Sequence, residues 1–152
     1  MDKAELLEAL EDGRQEMVEM LEDLADEVMV KPGVSGSWSI KDILAHVSTW
    51  EAESLEHLPG YLEGRRPARY SVLYGGIDAF NALMTEQKRS LTLSEVQDLL
   101  ASTHHRLIEY LQGLPAELFT VESRFRRRLR LDTYSHYPIH TRAICAWREQ
   151  SV

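Results

Sequence analysis

Cysteine is almost missing from this chain: Cys145 is the only one in 152 residues. One thiol closes no internal disulfide, so nothing points to an oxidising compartment. Long apolar runs are missing too, and none approaches the ~20 residues that span a bilayer. The opening stretch, Met1 to Gly13, lacks the basic and then apolar order of a signal peptide. A cytoplasmic protein with no membrane contact is therefore expected. Repeats and low-complexity tracts are also absent. A positive balance is lacking as well, since the net charge is −8. Phosphate contacts supply most of the affinity for DNA or RNA, so this charge predicts no nucleic-acid partner.

The acidity is unevenly spread. Eleven acids against Lys3 and Arg14 fall within residues 1–30, and the remainder is close to neutral. Hydrophobic residues make up 43 % of the chain and charged residues 28 %. That is an ordinary globular composition, and the length fits one domain, 1–152. Such a chain buries roughly 70 % of its unfolded surface without cross-links.

Periodicity predicts helices. Leu7, Leu10, Arg14, Met17, Leu21, Leu24 and Val28 alternate at steps of three and four, giving one apolar stripe over 3–29, interrupted only by Arg14. Ser37 or Ser39 is placed to cap a second helix from Ile40 to Leu58, closed or kinked by Pro59-Gly60. Residues 60–75, rich in tyrosine and punctuated by glycine, read as a loop over one end of a bundle. A short helix from Ile77 to Ser90 is expected next. Ser94 with Gln97 reads as a capping box that opens a helix ended by Gly113 and Pro115. Residues 116–131 read as irregular or briefly extended. Their arginine cluster, Arg124 to Arg130, is expected to pair with the acidic first helix, within one chain or across a dimer. The last helix is placed from Ser135 to Gln150, with Pro138 in its first turn, where a missing N–H costs nothing. Four principal helices imply a bundle.

The histidines carry the functional signal. His136 and His140 stand four apart, so they share one helix face and reach a common ion. His46 lies on the inner face of the second helix, three residues after Ile43 and four before Trp50. Three imidazoles suit zinc, nickel, copper or iron and leave a coordination position open, which is the pattern of a catalytic site. His57, His104 and His105 read as structural or surface residues. Glu51 is a candidate general base or orienting group, and Tyr137 a candidate acid or orienting group. Cys145, with no basic neighbour on its own face and apolar surroundings, is not expected to be a nucleophile.

The segment from Trp38 to Glu51, which contains His46 and Trp50, resembles the second-helix motif of DinB-like proteins. The segment from Asp132 to His140, followed by Ile144 and Trp147, resembles their last-helix motif. Asp78, Asn81 and the Ser94-Glu95-Val96 helix start resemble the ClbS/DfsB branch, and the likeness spans nearly the whole chain. This resemblance implies an all-α, up-down-down-up four-helix bundle, often a homodimer. It also implies one divalent ion, commonly nickel or zinc, held by the matching His46, His136 and His140. It implies in turn a hydrolase or a thiol-dependent transferase acting on a small-molecule substrate, with a low-molecular-weight thiol as a possible cofactor. The alternative is a bundle that binds and sequesters a small molecule without turnover.

Overall fold

The computed structural model describes residues 1–150. Among them there are helices and no strands: α1 (Lys3–Glu19), α2 (Asp26–Met29), α3 (Ile40–Leu62), α4 (Tyr70–Leu73), α5 (Ile77–Lys88), α6 (Leu93–Gln112), α7 (Glu117–Thr120), α8 (Arg124–Asp132) and α9 (Tyr137–Gln150). No helix among the described residues is long and apolar enough to cross a membrane.

Three side chains fix the direction of the bundle. Lys41 Nζ donates to the carbonyls of Arg89 and Leu91, so α3 and α6 start side by side. Lys3 Nζ donates to the carbonyls of Gln112 and Leu114, which sets the start of α1 at the end of α6. Arg148 reaches the Met20 carbonyl, which brings the ends of α1 and α9 together. The result is the up-down-down-up four-helix bundle of α1, α3, α6 and α9. Its centre is α3, which packs against α5, α6, α8 and α9. Nearly every residue of α3 from Ile40 to Glu51 is buried, as befits a helix with neighbours on all sides. Pro59 lies inside α3 without ending it.

Several expectations need correction. The first helix stops at Glu19 instead of running to 29. Arg148 takes the Met20 carbonyl and both Asp23 oxygens at 2.7 Å, while the Leu24 amide turns back to Leu21. The chain therefore turns and restarts at α2. The capping box of α6 is formed by Thr92 and Glu95, not by Ser94 and Gln97. Residues 116–131 contain α7 and α8. Ser123 caps α8, and Phe125 and Leu129, one turn apart, are its buried face. The arginines around them hid this short apolar repeat. Within the chain they do not pair with α1: Arg128 pairs with Asp132 and Arg130 with Glu122. The last helix begins at Tyr137, two residues later than expected, with Pro138 still in its first turn. Cys145 is exposed, with Glu149 Oε1 3.8 Å from its sulfur, and not set among apolar residues.

Thr92 accepts from the Glu95 amide at 3.1 Å, and Glu95 answers the Thr92 amide at 3.2 Å. Replacing Thr92 by alanine should lower stability by about 1 kcal/mol. Ser94→Ala should change urea denaturation little. A larger effect at Ser94 than at Thr92 would contradict the observed cap.

A candidate three-histidine metal centre

His46 sits early in α3, His140 in the first turn of α9, and His136 in the turn just before α9. Because α3 and α9 run antiparallel, these two stretches face each other. His46 Nε2 lies 3.0 Å from His136 Nε2, and His140 Nε2 lies 2.8 Å from the same atom. Ligand atoms of all three lie within 4.8 Å of one another. The rings meet edge to face, and Trp38 leans on His46 with 4.8 Å between ring centroids. The structure thus brings together the three histidines singled out from spacing.

A ring nitrogen offers either one proton or one in-plane lone pair. His136 Nε2 is therefore complementary to only one of its two neighbours, whereas a cation among the three nitrogens suits all of them. Protonation offers no way out. Burial, with the neighbouring His136, His140 and Lys88, pushes His46 down to about 2. Burial and His140 push His136 down to about 3, and burial pushes His140 down to about 4. All three are neutral donors at neutral pH, as metal binding requires. The donor set fits a borderline ion such as zinc or nickel.

Two of the three, His46 and His136, line a cleft of about 470 Å³. Trp50 forms part of its wall and donates its indole N–H to Asn81 at 2.9 Å. Tyr70, on the short α4, stacks on Phe80 at 4.9 Å and meets Trp50 at 5.4 Å. The tyrosine-rich segment expected to cover the bundle thus supplies one wall of the cleft. Arg128 and Asp132 supply another, one turn apart on α8 and joined at 2.6 Å. Arg128 also donates to the Tyr70 hydroxyl, and Ser54 donates to Asp132. Burial raises the Asp132 carboxyl to about 6, against the pull of Arg128. Neither residue was singled out from the sequence. The signal available was their i, i+4 spacing. Lys88, also missed, donates to Thr49 at 2.6 Å from α5.

The remaining candidates stand elsewhere. His57 lies 3.7 Å from Glu53, and the exposed His105 lies 3.8 Å from Glu109. Glu51 is fully buried and does not face the histidine centre. It meets Tyr137, Arg14 and His104 inside the bundle.

The sequence and the fold agree with known proteins. The model of the DinB superfamily matches residues 9–142. Among solved structures, an uncharacterised protein from Escherichia coli UTI89 superposes with a TM-score of 0.80 at 13 % identity, covering 99 % of this chain and 94 % of its own. DfsB, described as a sibling lethal factor precursor, gives 0.82 at 13 %, covering 99 % and 97 %. The colibactin self-resistance protein ClbS, in complex with a double-stranded DNA, gives 0.79 at 12 %, covering 97 % and 95 %. No curated protein matches in sequence. The ClbS complex overturns the exclusion of nucleic acid. Net charge is an average over the surface. Here the acids crowd the first thirty residues while arginines gather on α8, so a negative total says little about any one face.

Proposed function

Because the chain belongs to the DinB superfamily, we propose that it is a divalent-metal-dependent enzyme acting on a small molecule, with His46, His136 and His140 as the metal ligands. The reaction is of the hydrolase or thiol-dependent transferase type, suited to detoxification. The observation that carries this reading is the meeting of three neutral imidazoles, two buried and one half-buried, beside a cleft of small-molecule size. Nickel or zinc suits the donor set, and when bound it would supply Lewis acidity toward a water or a thiolate.

The chain's own residues do the rest. Trp50 and Tyr70 give an apolar wall that excludes water from one side of the cleft. Asn81, held by the Trp50 indole, supplies a fixed polar edge. Asp132, raised to about 6, is the carboxyl in the cleft best matched to carrying a proton near neutrality.

The test is turnover of thiols and reactive electrophiles with Ni²⁺, Zn²⁺ or Mn²⁺, by the wild type and His46→Ala. The wild type should turn over at least one substrate only with metal, and the variant should lose that activity. Equal activity in the variant removes the metal mechanism. Saturable binding without turnover would establish a sequestering protein instead. Double-stranded DNA belongs in the same assays, because ClbS shares this fold.

A further inference from the structure

Next to the metal cleft lies a second hollow of about 280 Å³, lined by Tyr61, Arg124, Arg127, Arg128 and Leu131. It shares Arg128 and Leu131 with the cleft, so the two adjoin at those side chains. Its charged lining is three guanidiniums and no carboxylate. The helix pattern explains why. Phe125 and Leu129 turn the inner face of α8 into the core, which leaves Arg124 and Arg127 exposed on the other side. Arg128 is already engaged by Asp132 and Tyr70. Among the described residues, no carboxylate pairs with Arg124 or Arg127, whereas Arg128 and Arg130 on the same helix both have acidic partners. Two uncompensated guanidiniums over a concave, tyrosine-edged surface match one compact oxyanion, which arginine binds in a planar fork.

We propose that this hollow is an anion subsite, and that the substrate of the metal cleft is a small molecule carrying a phosphate or carboxylate group. The anionic group lies against Arg124 and Arg127, and the reacting end reaches past Arg128 toward His46 and His136. The substrate assignment rests on the metal-enzyme reading; the subsite itself does not. Duplex DNA is the less favoured occupant. It needs a long basic track, and acids interrupt this one: Glu122 sits against Arg130, Glu63 against Arg65, and Glu53 against the Tyr70 hydroxyl.

The test uses the full chain stripped of metal, so that an ion in the histidine centre cannot bind the probe. Phenyl phosphate, benzoate and neutral phenol are titrated while the arginine Nε–Hε signals are followed by NMR, in the wild type and in Arg124→Gln/Arg127→Gln. Both residues are exposed, so the variant should fold; its thermal transition checks this. The expected result is saturable binding of one or both anions with shifts at Arg124 and Arg127. Affinity should drop at least about tenfold in the variant, and phenol should be indifferent to it. Equal affinity in the variant, or unsaturable shifts scattered over the surface, overturns the proposal. So does a short DNA duplex that uses the same arginines and binds more tightly than either anion. Metal content is measured separately, so loss of the metal-enzyme reading would not be mistaken for loss of the subsite.

Discussion

His136→Ala should abolish stoichiometric binding of zinc or nickel and leave the metal-free protein folded. His136 Nε2 is the atom on which the other two rings converge. Removing it leaves His46 and His140 as two separate donors. A structural zinc site is worth about 10–16 kcal/mol in apparent binding energy, so one ligand in three accounts for about 4 kcal/mol, or about a thousandfold in Kd. The readout is the metal-induced rise in unfolding temperature. At ligand 1,000 times Kd the wild type gains about 4 kcal/mol, equivalent to a shift of about 8–16 °C at this size. At the same concentration the variant should shift by only about 1 °C. In chelator its stability should match or exceed that of the wild type, because one of three crowded polar rings has gone. Full stoichiometry and an unchanged shift in the variant would show that the rings are not ligands.

The same rings set a pH dependence for the metal-free protein. In the folded state their values lie at about 2, 3 and 4, against 6.5 for an ordinary histidine. Below about 6.5 the unfolded chain binds protons that the folded chain refuses. The stability due to neutral rings is thus complete above that pH and is lost as pH falls, for each ring down to its folded value of about 4, 3 or 2. Each ring contributes at most about 1.4 kcal/mol per pH unit.

The sequence made the long elements legible because each depends on a repeating pattern. Ile40, Ile43, Val47 and Trp50 mark α3 over several turns, and its Ser39 cap precedes the first apolar residue. The histidine centre was legible for the same reason: four residues on a helix is a geometric statement, and the inner face of α3 was already known. Elements set by single long-range contacts were not legible. The break after Glu19 depends on Arg148, more than a hundred residues away. Helix α8 has only Phe125 and Leu129 to announce it among arginines. Arg14 was visible as an interruption of the first stripe, but nothing in the local pattern said what it met.

What Arg14 meets gives the other large prediction: Glu51→Ala should destabilise the protein by about 3–5 kcal/mol. Glu51 has no solvent exposure. Its Oε1 accepts from the Tyr137 hydroxyl at 3.2 Å and lies 3.7 Å from Arg14 Nε, while Oε2 lies 3.4 Å from His104 Nδ1. His104 Nε2 continues to Glu11 at 3.0 Å. One carboxylate therefore joins α1, α3, α6 and α9, at the point where Gly13 leaves room for the Tyr137 ring. Alanine would leave the buried Tyr137 phenol without an acceptor and the nearly buried Arg14 guanidinium without its counter-charge, and such orphaned groups cost far more than the pair contributes. Glu51→Gln keeps an acceptor for Tyr137 and loses only the charge, so it should cost clearly less. Arg14→Met combined with Glu51→Leu should recover only part of the loss: it removes the unpaired buried charge, but the Tyr137 hydroxyl still lacks its acceptor. Urea denaturation of the single and double variants reads all three, and a loss below about 1 kcal/mol for Glu51→Ala would mean that water already solvates the carboxylate. Tyr137 stands between His136 and His140 in the chain, so the carboxylate that holds its hydroxyl also holds the segment that presents both rings to His46. The candidate histidine centre is in this way fastened from behind by α3, the helix that supplies His46.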